Sequence, residues 1–118
     1  MATPNIVNVA TINAKNAAGA ITTSRAVAVD VAAEKIAKIN TILIANIDGT
    51  NAADVTIEVS IDNGSNYFAI AKTISVPADA TLSFLENPIY LDETDLLAVT
   101  ASANSDLTYF VSYEEITD

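Results

Sequence analysis

The chain contains no cysteine, no histidine and no tryptophan. Without cysteine there is no disulfide, no thiolate metal centre and no cysteine nucleophile. Without histidine the commonest general base and the commonest transition-metal ligand are missing, and no serine has an imidazole to activate it. The sequence therefore reads as non-enzymatic. Glycine and proline are scarce, with three of each in 118 residues. A chain with many turns and few glycines must place other residues at left-handed backbone positions, which Asn and Asp tolerate best. Bases are scarce too: five against fifteen acids, a net charge of −10, which argues against a phosphate-backbone partner. No run approaches the roughly 20 apolar residues of a membrane-spanning helix. The stretch Met1-Ala2-Thr3-Pro4-Asn5 has neither the basic region nor the apolar run of a signal peptide. The expectation is a soluble protein with no membrane partner, made without export.

What is present is alternation. Val55, Ile57, Val59 and Ile61 alternate with Thr56, Glu58 and Ser60, the period of a strand with one buried and one wet face. Ile42 and Ile44 alternate with Leu43 and Ala45, which predicts a strand apolar on both faces. The intervening turn residues Asp62-Asn63-Gly64-Ser65-Asn66 supply the backbone of a tight hairpin into the strand that ends at Val76. Further strands are predicted at Ile6–Ile12, Ile21–Val31, Thr81–Leu85, Ile89–Leu91, Leu96–Ala103 and Leu107–Tyr113. Residues Asn13–Ala20 are small and polar and read as a loop or extended arm. Residues 31–39 carry Ala, Glu and Lys, which favour helix, but no N-cap precedes them and β-branched residues follow; a turn is predicted at Ala32–Lys35. Turn signals recur about every 8 to 12 residues, so the predicted fold is all-β, a single antiparallel β-sandwich or jelly-roll-like domain of about eight or nine strands. Its division is residues 1–20 as N-terminal strand and arm, and 21–118 as the sandwich.

Charge is unevenly placed. Lys15, Arg25, Lys35 and Lys38 fall in the first 38 residues beside only Asp30 and Glu34; residues 39–118 hold Lys72 against thirteen acids. One reading is a solvated acidic surface. The sharper one is a weakly basic N-terminal part that contacts the acidic body, in cis or on a neighbour. Ile6, Val7, Val9, Lys15 and Arg25 are accordingly the candidate interface residues. The acids Asp92, Glu93 and Asp95, and Asp62 with Asn63 and Asn66, sit on turns. Neither set has the spacing of a calcium loop, and Asp and Asn stand in turns for local reasons. No metal and no cofactor is predicted. Tyr67, Tyr90, Tyr109 and Tyr113 could form a stacking platform for a sugar or a single strand of nucleic acid. With bases absent from their neighbourhood, they read as sandwich caps with ring buried and hydroxyl wet.

Several stretches carry a family resemblance: Met1–Val9, Lys38–Ile42, Ala45–Val55, Thr73–Leu82, Ile89–Leu91, Ala101–Leu107 and Ser112–Ile116. Together, and over nearly the whole chain, they resemble the small virion structural proteins of tailed phages of marine bacteria, cyanophages among them. The resemblance implies an accessory part of the phage particle, assembled in the bacterial cytoplasm. Its implied role is a head decoration protein on the major capsid protein, a homo-oligomer with a trimer favoured. A neck or tail component is the alternative, and a carbohydrate- or surface-binding module is a second class that the fold alone does not separate from it.

Overall fold

Alternation in the segment Ala53–Ser60 holds up to Glu58. Val55 and Ile57 are fully buried, while Thr56 and Glu58 are half-exposed on the opposite face. It fails at the hairpin end, where Ser60, expected wet, is fully buried and Ile61, expected buried, is 69% exposed. Ser60 turns in to bond the hairpin, and Ile61 lies beyond the paired strand. This segment is one of nine strands in the computed structural model, which describes residues 11–117 and shows no helix among them. In chain order these are β1 (Thr11–Ile21), β2 (Ala26–Asp30), β3 (Lys35–Asn46), β4 (Ala53–Ser60), β5 (Phe68–Val76), β6 (Thr81–Ser83), β7 (Ile89–Leu91), β8 (Leu96–Ala101) and β9 (Leu107–Thr117).

Two antiparallel sheets form. One runs β1-β9-β3, with β6 and β7 sharing the far side of β3; the other runs β2-β8-β4-β5. Of the connections between different strand positions, only β4 to β5 stays within a sheet; the rest cross from one sheet to the other. With β6 and β7 taken as one strand interrupted at Glu86-Asn87-Pro88, this is the eight-stranded jelly roll. The break has a cause, since proline cannot donate to a ladder. The predicted sandwich and its strand number are both found.

The core lies between the sheets. Ile39, Ile42 and Ile44 of β3, Val111 and Leu107 of β9, Val55 and Ile57 of β4, and Leu97 and Val99 of β8 are all fully buried. Each such aliphatic side chain contributes about 1.5–3 kcal/mol of transfer free energy. On the outward side of β3, Leu43 and Ala45 are half-buried, so this strand is apolar on both faces as its sequence predicts.

Three sequence expectations need correction or refinement. Asn13–Ala20 is no loop: β1 pairs with β9 without a break from Thr11↔Thr117 to Ile21↔Leu107. Small side chains give no alternation to read there, yet backbone ladder bonds do not need one. Gly19 has a structural reason, for the Tyr109 ring lies over it and a Cβ would come within 3.2 Å of the ring. Ile21–Val31 is not one strand either. Thr22 Oγ1 accepts the Ser24 N–H at 3.2 Å and Asn104 Oδ1 accepts the Thr23 N–H at 3.0 Å, which ends β1 before β2 begins. Left-handed positions are held by Asn63 and Asp79 as expected, but also by Glu34, Thr73, Thr94 and Ser105. The turn at Ala32–Lys35 forms as predicted, closed by Lys35 N–H to Ala32 O at 3.3 Å. Asn63 and Gly64, with φ of 57° and 90°, sit at the centre of a tight turn closed from Ser65 N–H to Asp62 O at 3.3 Å, the geometry of a type I′ turn.

Three buried polar residues among the described residues hold the loops: Asn46, Asp95 and Ser60. Ser60 Oγ donates to Asp62 Oδ1 and accepts the Gly64 N–H, both at 2.8 Å. Asn46, 3% exposed, donates from Nδ2 to Asn51 O and Val76 O, both at 2.9 Å, and accepts Asp48 N–H at 2.8 Å. It ties the end of β3, the β3–β4 loop and the end of β5 together. Asp95, 7% exposed, accepts the Asp92 N–H at 2.9 Å. Burial pushes its carboxyl above the ordinary carboxylate range, the Asp92 N–H pulls it back, and the Asp92 charge adds to the rise.

Replacing Asn46 by Ala strands three backbone groups, and should cost about 2–3 kcal/mol in urea denaturation; a loss below about 0.5 kcal/mol would mean the loop is held by other contacts. Asp95 sets an opposite pH dependence to most carboxylates. Its proton is held more tightly in the native state, so it subtracts stability as pH rises from its unfolded value through its native one. Asp95→Asn should therefore raise the melting midpoint at pH 7, and the gain should vanish near about pH 3, where the native carboxyl is already neutral. Melts of both proteins across that range check the sign.

Candidate interaction surface

The predicted charge asymmetry resolves within one chain. Lys15 Nζ lies 3.5 Å from Glu115, Lys35 Nζ 3.6 Å from the same carboxylate, and Lys38 Nζ 3.9 Å from Glu114. These pairs follow from register. Lys38 stands directly opposite Glu114 on β9, and Lys15 is two positions along from Asn13, the residue facing Glu115, and so shares its face. Arg25 forms a fork with Glu58 at 2.9 and 3.2 Å. Its side chain reaches across β8, the strand between β2 and β4, and its guanidinium stacks 4.1 Å from the centroid of the Tyr67 ring. The bond to Glu58 holds the Arg25 guanidinium above even its usual value. A paired fork of this kind is directional, whereas the lysine pairs, longer at 3.5–3.9 Å, are worth little in water.

All four bases of the N-terminal part thus meet glutamates of the body in cis. Of the candidate interface residues, Lys15 and Arg25 are found in these contacts, and Ile6, Val7 and Val9 lie outside the described residues. The structure does not bring Lys15 and Arg25 together, since they belong to different sheets. Among the described residues Lys72 alone of the five bases has no acid partner. It sits in β5.

Among the described residues that strand holds the largest group of exposed large apolar side chains. β5 pairs with β4 on one side only, and every residue from Phe68 to Ser75 except half-buried Ala71 is exposed. Phe68, Ile70 and Ile74 are 60%, 47% and 40% exposed, and Ile61 just before the hairpin is 69% exposed. Phe68 and Ile74 stand opposite Val59 and Val55, so they point to the inner face but overhang its rim. Two register shifts and Thr73 at φ 48° bend the strand; Thr73 N–H is taken up by Thr56 Oγ1 at 3.1 Å. Bulges and a lysine on an edge are devices that limit indiscriminate strand pairing. In the sequence Lys72 is the isolated base of the C-terminal part, and a lone lysine in an apolar strand is the signal of an edge.

The other candidate groups are accounted for locally. Asp62 accepts Ser60 Oγ, Asn66 N–H and Asn66 Nδ2 at 2.8–2.9 Å, bonds that hold its carboxyl below the ordinary range. Asp92 accepts Glu93 N–H and Glu93 accepts Glu34 N–H, both at 2.7 Å. These acids shape turns, as their positions predicted. Tyr109 and Tyr113 pack against the core, Tyr67 lies under Arg25, and Tyr90 is 55% exposed. Tyr90, Tyr109 and Tyr113 belong to the five-stranded sheet and Tyr67 to the loop before β5, and exposed Tyr90 departs from the expected buried ring.

No known family model matches the chain, and no curated protein is similar to it. Among solved structures, a protein of Bacillus endospore appendages, described as a novel family of disulfide-linked pili, matches with a TM-score of 0.56 and 16% identity, over 91% of this chain and 87% of that one. At that identity the likeness is one of fold. Two structures of a pentameric capsid protein from metagenomic phage sequences match more distantly, with a TM-score of 0.41 and 13% identity. They cover 84% of this chain and 59% or 63% of theirs, and carry no further weight.

The two kinds of charge pair should separate on mutation. Arg25→Ala, which loses a forked bond and a ring contact together, should lower the melting midpoint by more than Lys15→Ala, whose exposed pair should be close to neutral. Equal effects in thermal melts at about 0.15 M salt would show that Arg25 adds no more than a surface charge.

Proposed function

We propose that this protein is a non-enzymatic structural component of a tailed-phage particle, an accessory protein that decorates the head. It would bind the major capsid protein and associate with itself, with a trimer favoured, and would reside in the virion after assembly in the bacterial cytoplasm. The observation that carries a structural role is the rim of the sandwich. A jelly roll with a nine-residue edge strand exposing Phe68, Ile70 and Ile74 offers apolar surface of the sort that marks a contact with other protein. Ala- and Val-rich strands with few long charged side chains also lose little entropy when repeated contacts cover them. The phage setting itself is supported by the sequence resemblance alone.

A second reading follows from the fold likeness to the endospore appendage protein: a subunit of a fibre built from many copies. Disulfide links of the kind named for those pili are not open to a chain without cysteine, so such a fibre would rest on strand and side-chain contacts.

Cryo-electron microscopy of purified virions tests the proposal. Copies spread over the head are expected. A ring of a few copies at the portal or tail would replace decoration with a connector role, and absence from the particle would overturn the virion reading.

A further inference from the structure

We infer that copies of this protein associate edge to edge through the four-stranded sheet, the β5 edge of one copy meeting the β2 edge of the next. This rests on the self-association in the reading above but not on the virion setting. Among the described residues both edges of that sheet are open: β2 pairs only with β8, and β5 only with β4. Both carry exposed apolar side chains, Phe68, Ile70 and Ile74 on one and Val27, 45% exposed, on the other.

Charge decides which edge meets which. Lys72 is the one charged residue of β5, and Asp30 the one charged residue of β2; both are exposed. Asp30 stands opposite Leu96, outside the inward set Leu97 and Val99, and Lys72 lies in the bulge facing outward Thr56. A twofold β5–β5 contact would bring two lysines to one seam with no acid in either strand. A β5–β2 contact instead sets a lysine against an aspartate, and like-charge exclusion with opposite-charge attraction is how interfaces select partners.

Strand direction permits it. In an antiparallel four-stranded sheet the two outer strands run opposite ways, so a second copy placed alongside continues the antiparallel order without inversion. Setting Lys72 against Asp30 lays residues 72–76 along 26–30, so Ile74 faces Ala28, Ser75 faces Val27 and Val76 faces Ala26, while Phe68 and Ile70 extend past the Asp30 end of β2. Such a contact is heterologous. It closes into a ring, a trimer included, if the rotation between copies allows, and otherwise propagates as a filament.

The test uses the intact protein and its lack of cysteine. In sedimentation velocity across a concentration series, the wild type should form species larger than a dimer. Lys72→Glu and Asp30→Lys should each weaken association by about tenfold or more, and the two together should restore it. Lys72→Cys with Asp30→Cys should give a covalent ladder, or a closed ring, on mild oxidation. A monomeric wild type at every concentration overturns the inference, as do oligomers indifferent to both charge reversals or a Lys72→Cys single variant that oxidises fully to dimer. If the charge swap behaves as expected and the protein is absent from virions, the interface stands and the virion reading falls.

Discussion

The ladder between β3 and β9 is the constraint on which the rest depends. It runs from Lys35↔Thr117 to Asn46↔Leu107 with a single bulge at Asn40. It places Ile39, Ile42 and Ile44 beside Val111 and Leu107 as one apolar floor, against which the second sheet closes. It also provides the two sides on which β1, β6 and β7 are built, since among the described residues β1 has no partner but β9 and the two short strands none but β3. Register here is well specified, because a one-residue slip would turn the isoleucines outward.

Where a strand owes its place to side-chain burial, the sequence is transparent. β4, β7 and the centre of β3 fall where alternation puts them, and the loop acids shape turns for the local reasons that their residue types suggest. β1 was hidden because its lower part buries almost nothing; it is held by backbone bonds that any residue can make. Asn46 was hidden for the opposite reason. An asparagine beside Ile47-Asp48-Gly49 looks like one more turn residue, and only the folded chain shows its amide buried against Val76 O. Glu34, Thr73, Thr94 and Ser105 at positive φ defeat residue statistics altogether. Such positions cost energy and persist because the surrounding ladders fix them.

The candidate interface was legible only in part. An imbalance of charge between the two parts of the chain was visible, and so was its internal resolution as one option. What could not be read was that register would send Lys15, Lys35 and Lys38 onto two adjacent glutamates of β9 and Arg25 over a tyrosine. With those bases engaged, Lys72 is the one base among the described residues without an acid beside it. Long apolar strands hide their own status as well: Phe68, Ile70 and Ile74 would sit under a neighbour in an interior strand, and only sheet order reveals that β5 has none on its outer side.

The position of β9 has a consequence for how the chain comes to be folded. Among the described strands it comes last in the chain, yet it lies between β1 and β3. Neither β1 nor the β9 side of β3 can complete its pairing until residues beyond Leu107 have left the ribosome. Up to that moment β1 has no strand to join, and β3 presents an unpaired apolar edge. Sheet closure by distant segments is slow compared with local pairing, so nascent chains would be vulnerable to intermolecular pairing at that stage. Truncation near the C-terminus would then remove the seam of an entire sheet rather than one strand.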